Sequence, residues 1–202
     1  GPGPVLFYLG GAAVPLAALT SLQALVKLGN LQYGQRVCIN GASGGVGTFA
    51  VQIAKAYGAR VTAVCSHRNV ELVSELGADE VVDYTKENVE ESGRTFDIFY
   101  DAYGNKPPQL VRPILAERAV YVSVLPRLHL FARQVFTFFA KQKVKVVVVN
   151  SNTADLQTLT ELIESEKVRP VIDSIFPLAE AAEAHKRIET RRAQGKIVLL
   201  IK

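Results

Sequence analysis

The chain has 202 residues, 49% of them apolar and 21% charged. That suits one sizeable globular α/β domain with a real hydrophobic core and excludes disordered and fibrous classes. The net charge is +4, with arginines and lysines scattered and not striped, which suits a phosphate-bearing small ligand and does not imply nucleic acid.

Cys38 and Cys65 are the only cysteines. They exclude a disulfide framework and a multi-cysteine zinc site, and make a reducing compartment the expected one: cytoplasm, or an organellar stroma or matrix. The sequence has no methionine and opens Gly1-Pro2-Gly3-Pro4. The expectation is therefore a processed or engineered piece, with a cloning scar at 1–2 inside a lead-in over 1–14. Residues 4–26 carry no charge, but Pro4, Pro15, the pair Gly10-Gly11 and the polar Thr20, Ser21 and Gln23 interrupt them. No basic residue precedes them, so they predict neither a membrane span nor a targeting signal. A buried loop and then a helix over 15–28 is expected, with Pro15 in the first turn and Gly29 at the C-terminal cap.

A buried strand over 37–39 runs into the turn Gly41-Ala42-Ser43-Gly44-Gly45-Val46-Gly47 and then a helix with Val51, Ile53, Ala54 and Tyr57 on its apolar side, stopped by Gly58. A second strand over 61–64, a helix over 69–76 ended by Gly77, and a third strand over 81–82 follow. Strands are expected at 96–100, 119–124 and 144–149, with helices over 130–141 and 153–166. The alternation predicts a doubly wound, six-stranded parallel Rossmann sheet over 15–150. The last Rossmann helix and a strand-helix-strand tail (171–176, 178–192 and 196–201) fill 151–202.

Strand, glycine turn, then helix is the strongest functional signal. Glycines let the backbone approach a pyrophosphate, and free N–H groups at the helix start point at it. A tight structural turn without ligand is the plain alternative. The turn departs from G-x-G-x-x-G, with Ala42 in the first glycine's place and Gly44 and Gly47 in the other two. Gly41, Gly45 and Gly47 also fit the short-chain dehydrogenase spacing, but no tyrosine here has lysine four residues on. An acid about 20 residues past the turn would bind the ribose 2′-hydroxyl of NAD. This chain has Cys65-Ser66-His67-Arg68-Asn69 there. Serine and arginine suit a 2′-phosphate, so NADPH is predicted over NADH. Capping of the next helix by 66–69 is the alternative.

These motifs resemble the zinc-independent quinone oxidoreductases of the medium-chain dehydrogenase/reductase superfamily. The matching pieces are Ala12-Ala13-Val14-Pro15-Leu16-Ala17-Ala18-Leu19-Thr20 with Gln23-Ala24-Leu25, then Gly34-Gln35-Arg36-Val37 and the glycine turn. They continue in Leu76-Gly77-Ala78-Asp79, Asp83-Tyr84, Phe96-Asp97 with Asp101, and Gly195-Lys196. The stretch 61–84 is most similar to the branch with chloroplast-envelope and reticulon-interacting members. The resemblance implies reduction of quinones or other α,β-unsaturated carbonyls by NADPH, with direct, metal-free hydride transfer. Carried over, Ala42, Ser43, Gly44, Gly45, Val46 and Gly47 hold the pyrophosphate. Ser66, His67 and Arg68 flank the 2′-phosphate, with Tyr84 near the adenosine. Members commonly have lysine where this chain has Asn69, which shifts phosphate binding onto Arg68. Asp101 and Tyr103 follow the fourth strand and Val124 and Leu125 close the fifth, at the ligand edge, with a structural role as the alternative for each. Family members also carry an N-terminal barrel-like catalytic domain, so this chain is expected to be the cofactor domain plus a tail that packs on that domain.

No catalytic proton donor can be named. His67, His129 and His185 are far apart in sequence, and no metal is expected. Gly41-Ala42-Ser43-Gly44-Gly45 spells a nucleophile elbow, but a pyrophosphate turn accounts for it better. The segment 128–141, with Phe131, Phe136, Phe138, Phe139, Arg133 and Lys141, reads as a helix packed on the sheet, a subunit contact or a peripheral membrane contact. The apolar stretch 146–149 at the sheet edge leads to an expected homodimer through the sixth strand. A nucleotide-binding module without turnover, or the cofactor domain of an alcohol dehydrogenase or enoyl reductase, are the alternative functions.

Overall fold

The computed structural model describes residues 13–125, 141–190 and 193–200. Helix α1 (Ala13–Leu22) continues as a π-helical turn, Gln23–Leu28, capped at Gly29. Then come β1 (Arg36–Asn40), α2 (Gly47–Ala56), β2 (Arg60–Cys65), α3 (Val70–Glu75), β3 (Glu80–Asp83) and β4 (Phe96–Asp101). The short α4 (Pro108–Val111), β5 (Leu115–Ser123), β6 (Lys143–Val146), α5 (Thr153–Glu164), β7 (Ile172–Pro177), α6 (Ala181–Glu189) and β8 (Lys196–Leu200) complete the order.

Six strands form one parallel sheet in the order β3-β2-β1-β4-β5-β6, and β7 and β8 form a separate parallel pair. The order reverses between β1 and β4, so a crevice opens at their carboxyl ends, where ligands of such sheets bind. Alternation along β1 sends Val37 and Ile39 into the larger core cluster, with α1, α2, α3 and α5. Cys38 faces the other cluster, where Phe99 stacks on Tyr121 with ring centroids 6.0 Å apart. The six-strand expectation holds, and the differences are local. The helix after Pro15 ends in π geometry, with the Gly29 N–H donating to the Ala24 carbonyl five residues back. The left-handed residue there is Asn30 (φ 51°), not the glycine.

Strand β5 starts at Leu115, earlier than expected, because its register slips between Phe96/Leu115 and Ile98/Val120. The polar Glu117 and Arg118 sit in that slip and hide the strand pattern. Strand β6 stops at Val146 and not at 149, since its partner β5 ends at Ser123, opposite Val146. In the tail, a 3-10 turn over Leu178–Glu180 precedes α6, which is shorter than expected. The expected helix over 130–141 and its phenylalanines, with His129, lie outside the described residues apart from Lys141.

One polar anchor ties the larger core layer together. Gln23 Nε2 donates to the Asn150 carbonyl (2.6 Å) and to Asp155 Oδ2 (2.8 Å), while the Asn150 N–H donates back to Gln23 Oε1. Lys27 completes it with an ion pair to Asp155 at 2.8 Å. The start of α5 is thereby locked to the π-helical turn. Among the described residues, no helix is long and apolar enough to cross a membrane.

Candidate functional site

The crevice holds a cavity of about 620 Å³ between the glycine turn, the tip of β2, the segment after β3 and the C-terminal unit. That lies within the usual span for small-molecule sites, about 300–1,000 Å³. Six of the expected residues line it: Ser43, Gly44, Ser66, Arg68, Tyr84 and Tyr103. The rest of the lining lies beyond the expected site residues: Gly41, Cys65, Asn69, Thr85, Thr190 and Ala193. Thr190 and Ala193 belong to the tail, whose local pattern gives a strand, a helix and a strand but not that they meet the turn.

Each part of the turn has a local cause. Gly41 has φ +78°, and a Cβ there would sit 2.8 Å from Tyr103 Cβ. The position therefore needs glycine both for its backbone and for the approach of the loop after β4. At Gly47 a Cβ would overlap the Gly41 carbonyl oxygen and come within 2.8 Å of Ala42 Cα. Ala42 is fully buried and forms part of the core beneath the turn. The Val46 N–H group finds no acceptor among the described residues. It is an unspent donor at the start of α2, next to the Gly45 N–H that faces the Gly195 carbonyl across the bridge.

Asn69 joins three walls. Its Nδ2 donates to Ser43 Oγ (2.8 Å) and Ser66 Oγ (3.2 Å), and its Oδ1 accepts from Gln194 Nε2 at 2.6 Å. The tail is also fastened to the turn directly. Gly195 N–H donates to the Ser43 carbonyl at 3.0 Å, and Gly44 and Gly195 form a parallel bridge. Behind it, Asp173 accepts from Arg187 (2.7 and 2.9 Å) and from the Gln194 N–H (2.8 Å). The Arg187 guanidinium foremost holds the Asp173 carboxyl down to about 2.

The loop after β4 is caged by Asp101, which is buried. Its Oδ1 accepts from Asn40 Nδ2 (2.7 Å) and the Gly104 N–H (2.8 Å), and its Oδ2 accepts from the Lys106 N–H (2.9 Å). Lys106 in turn pairs with Glu90 at 2.6 Å. This cage presents Tyr103 to the cavity, so Asp101 orients and does not line. Burial pushes the Cys65 thiol at the cavity floor up to about 11.

The remaining expected residues stand outside the lining. His67 Nδ1 lies 3.4 Å from Asp83 Oδ2. The Val124 N–H donates to the Asp101 carbonyl, and the Leu125 side chain packs against Gly104. Gly45, Val46 and Gly47 belong to the turn at the start of α2 and not to the lining. The lining carries no carboxylate, and the exposed Arg68 guanidinium has no hydrogen-bond or ion-pair partner among the described residues. A free N–H donor, hydroxyls, an arginine without a partner and no acid among the described lining residues together fit a phosphorylated nucleotide. Among the described residues, no group of three His, Cys, Asp or Glu side chains is placed to hold a metal ion.

A zinc-binding dehydrogenase family model matches residues 76–199. The mitochondrial NAD(P)H oxidoreductase RTN4IP1 of Mus musculus is 36% identical over 96% of this chain and 56% of its own length. The chloroplast envelope quinone oxidoreductase homolog of Arabidopsis thaliana is 36% identical over 93% of this chain and 60% of its own length. A solved quinone oxidoreductase from Coxiella burnetii superposes with a TM-score of 0.85 at 30% identity, over 95% of this chain and 60% of that one. The chain thus spans little more than half the length of the curated relatives it matches. It belongs to the zinc-binding dehydrogenase family, in the quinone oxidoreductase group of the medium-chain dehydrogenase/reductase superfamily.

Proposed function

We propose that this family member binds NADPH and is the cofactor-binding part of a reductase of quinones or other α,β-unsaturated carbonyls. The observation that carries the cofactor preference is Arg68 beside Ser66, without a partner and in a cavity lined by no carboxylate among the described residues. An acid at the tip of β2 would pair with a ribose 2′-hydroxyl and repel a 2′-phosphate. Arginine does the reverse, with a bidentate fork.

When bound, the nicotinamide would supply hydride to the substrate. The chain's own part is orientation. The glycine turn, with the free Val46 N–H, would take the diphosphate, and Ser66 with Arg68 the 2′-phosphate. Tyr84 and Tyr103, about half-exposed at the cavity, would flank the adenosine. Holding the nucleotide at fixed points is itself catalytic, because it converts an encounter into a unimolecular step. The β7-α6-β8 unit would pack on a catalytic domain that completes the substrate cleft, and no group of this chain is assigned as proton donor. The two buried free thiols agree with a reducing compartment. Edge strand β6 and the exposed Val148 beyond it support a homodimer through that edge. A monomeric mass in sedimentation at working concentration would remove that part of the proposal.

Calorimetric titration of the chain with NADPH and with NADH tests the central claim. NADPH is expected to bind at least ten-fold tighter, a gap of about 1.4 kcal/mol. Equal affinities overturn the NADPH preference, and no binding of either overturns the cofactor reading. Turnover of a quinone with NADPH then separates an active reductase from a binding module.

A further inference from the structure

We propose that Lys196 is a second cation for the bound nucleotide, its ammonium meeting the diphosphate where that group crosses the glycine turn at Gly45. The proposal rests on the reading of the turn as a dinucleotide site.

The backbone around Lys196 is fixed by its neighbours. Gly195 has φ +73°, and a Cβ on it would overlap the Val171 carbonyl oxygen, so the position takes glycine alone. The Lys196 N–H donates to that same Val171 carbonyl at 2.8 Å, and the Gly195 N–H holds the Ser43 carbonyl. The lysine therefore leaves the tail at the turn itself. Its side chain lies along Gly45, where an added Cβ would stand 2.9 Å from Cε and 3.0 Å from Nζ. Glycine at 45 makes room for this ammonium.

What the ammonium lacks is an acceptor. No carboxylate, carbonyl or hydroxyl among the described residues receives a hydrogen bond from it. The side chain is half-buried, and burial holds its pKa below the usual lysine value. A cation drawn partly out of water without a partner costs free energy that an incoming anion recovers. The unspent N–H of Val46 stands at the same turn. An ammonium and a free N–H beside one glycine suit a group with several anionic oxygens, and the diphosphate is the part of a dinucleotide that passes there.

Three ligands separate the two cations. NADPH carries both phosphate groups, ADP-ribose only the diphosphate, and adenosine 2′-monophosphate only the 2′-phosphate. Calorimetry with the wild-type chain, K196Q and R68Q is expected to divide them. K196Q should weaken NADPH and ADP-ribose about ten-fold, in keeping with a charge-assisted hydrogen bond, and leave adenosine 2′-monophosphate within about two-fold. R68Q should weaken NADPH and adenosine 2′-monophosphate and spare ADP-ribose. K196R should restore ADP-ribose binding. Unchanged ADP-ribose affinity in K196Q, or equal weakening of all three ligands, overturns the role of Lys196 while leaving the site standing. Failure of the wild-type chain to bind any of the three overturns the dinucleotide reading and this proposal with it. If K196Q loses its thermal transition, K196M, which keeps the apolar stem and removes the charge, gives the same contrast.

Discussion

The two edges of the six-stranded sheet handle charge in opposite ways. At the amino edge, Arg36 grips Asp97 through two hydrogen bonds of 2.9 and 3.1 Å. Arg60 and Arg94 share Glu80 at 2.7 and 3.1 Å. These guanidiniums hold the Asp97 and Glu80 carboxyls below their usual range. At the carboxyl edge, Arg68 and Lys196 have no partner among the described residues. Asp83, at the end of β3, spends its carboxylate on the Thr85 N–H and hydroxyl. A small cavity of about 180 Å³ exists at the amino edge too, with three arginines around it. The lesson is that a basic cluster marks a site where its charge is unspent, not where cations are numerous.

The comparison can be broken most severely by Gly47→Ala. The new methyl overlaps the Gly41 carbonyl, so about 3 kcal/mol of stability is expected to go, with nucleotide binding. A lower urea midpoint with unchanged slope is the expected reading. A wild-type midpoint would mean that the turn yields easily.

Asp101→Ala should cost about 2–3 kcal/mol, because one hydrogen of the buried Asn40 amide and the loop N–H donors lose their acceptor. The amino-edge counterpart, Asp97→Ala, breaks a partly exposed pair and should cost about 1 kcal/mol or less. Equal costs would erase the distinction between an internal cage and a solvated pair. Arg68→Gln should weaken NADPH about ten-fold and leave NADH unchanged, whereas Arg60→Gln should move neither, because its charge is already matched. A loss in Arg60→Gln would show long-range charge at work.

The smallest effect concerns acid. Asp173 is held at about 2 when folded, below the ordinary carboxylate value of about 4. A depressed folded pKa stabilises above the unfolded value, and that contribution fades as pH falls from about 4 towards 2. Asp173→Asn should therefore flatten the acid limb of a stability-against-pH curve over that window. An unchanged limb would mean that the Arg187 pair adds nothing to the tail.

Most of the sheet was legible because each strand there is a short apolar run bounded by glycine or charge. The strand 37–39 and the turn after it announce themselves within eleven residues, 37–47. Ser43, Gly44, Ser66 and Arg68 could be assigned to the cavity because a βαβ unit fixes where its turn and second strand tip must point. Strand β5 was read short because a register slip has no sequence period. The role of Asp101 was hidden for a different reason: an acid ending a strand looks the same whether it faces ligand or its own loop. Thr190 and Ala193 lie more than 140 residues from the turn they help enclose, and no local pattern spans that distance.

The amide of Asn69 adds a consequence in time. It joins Ser43 and Ser66 to Gln194, 125 residues further on. Contacts that far apart close late, after the local units have formed. During synthesis the glycine turn and β2 can be in place while the cavity still lacks its outer wall, and the wall arrives only with Thr190, Ala193 and Gln194. A chain cut between α5 and β7 would then keep the six strands and both helical layers but leave the pocket open. Completion of the cavity thus reports that translation has reached the tail.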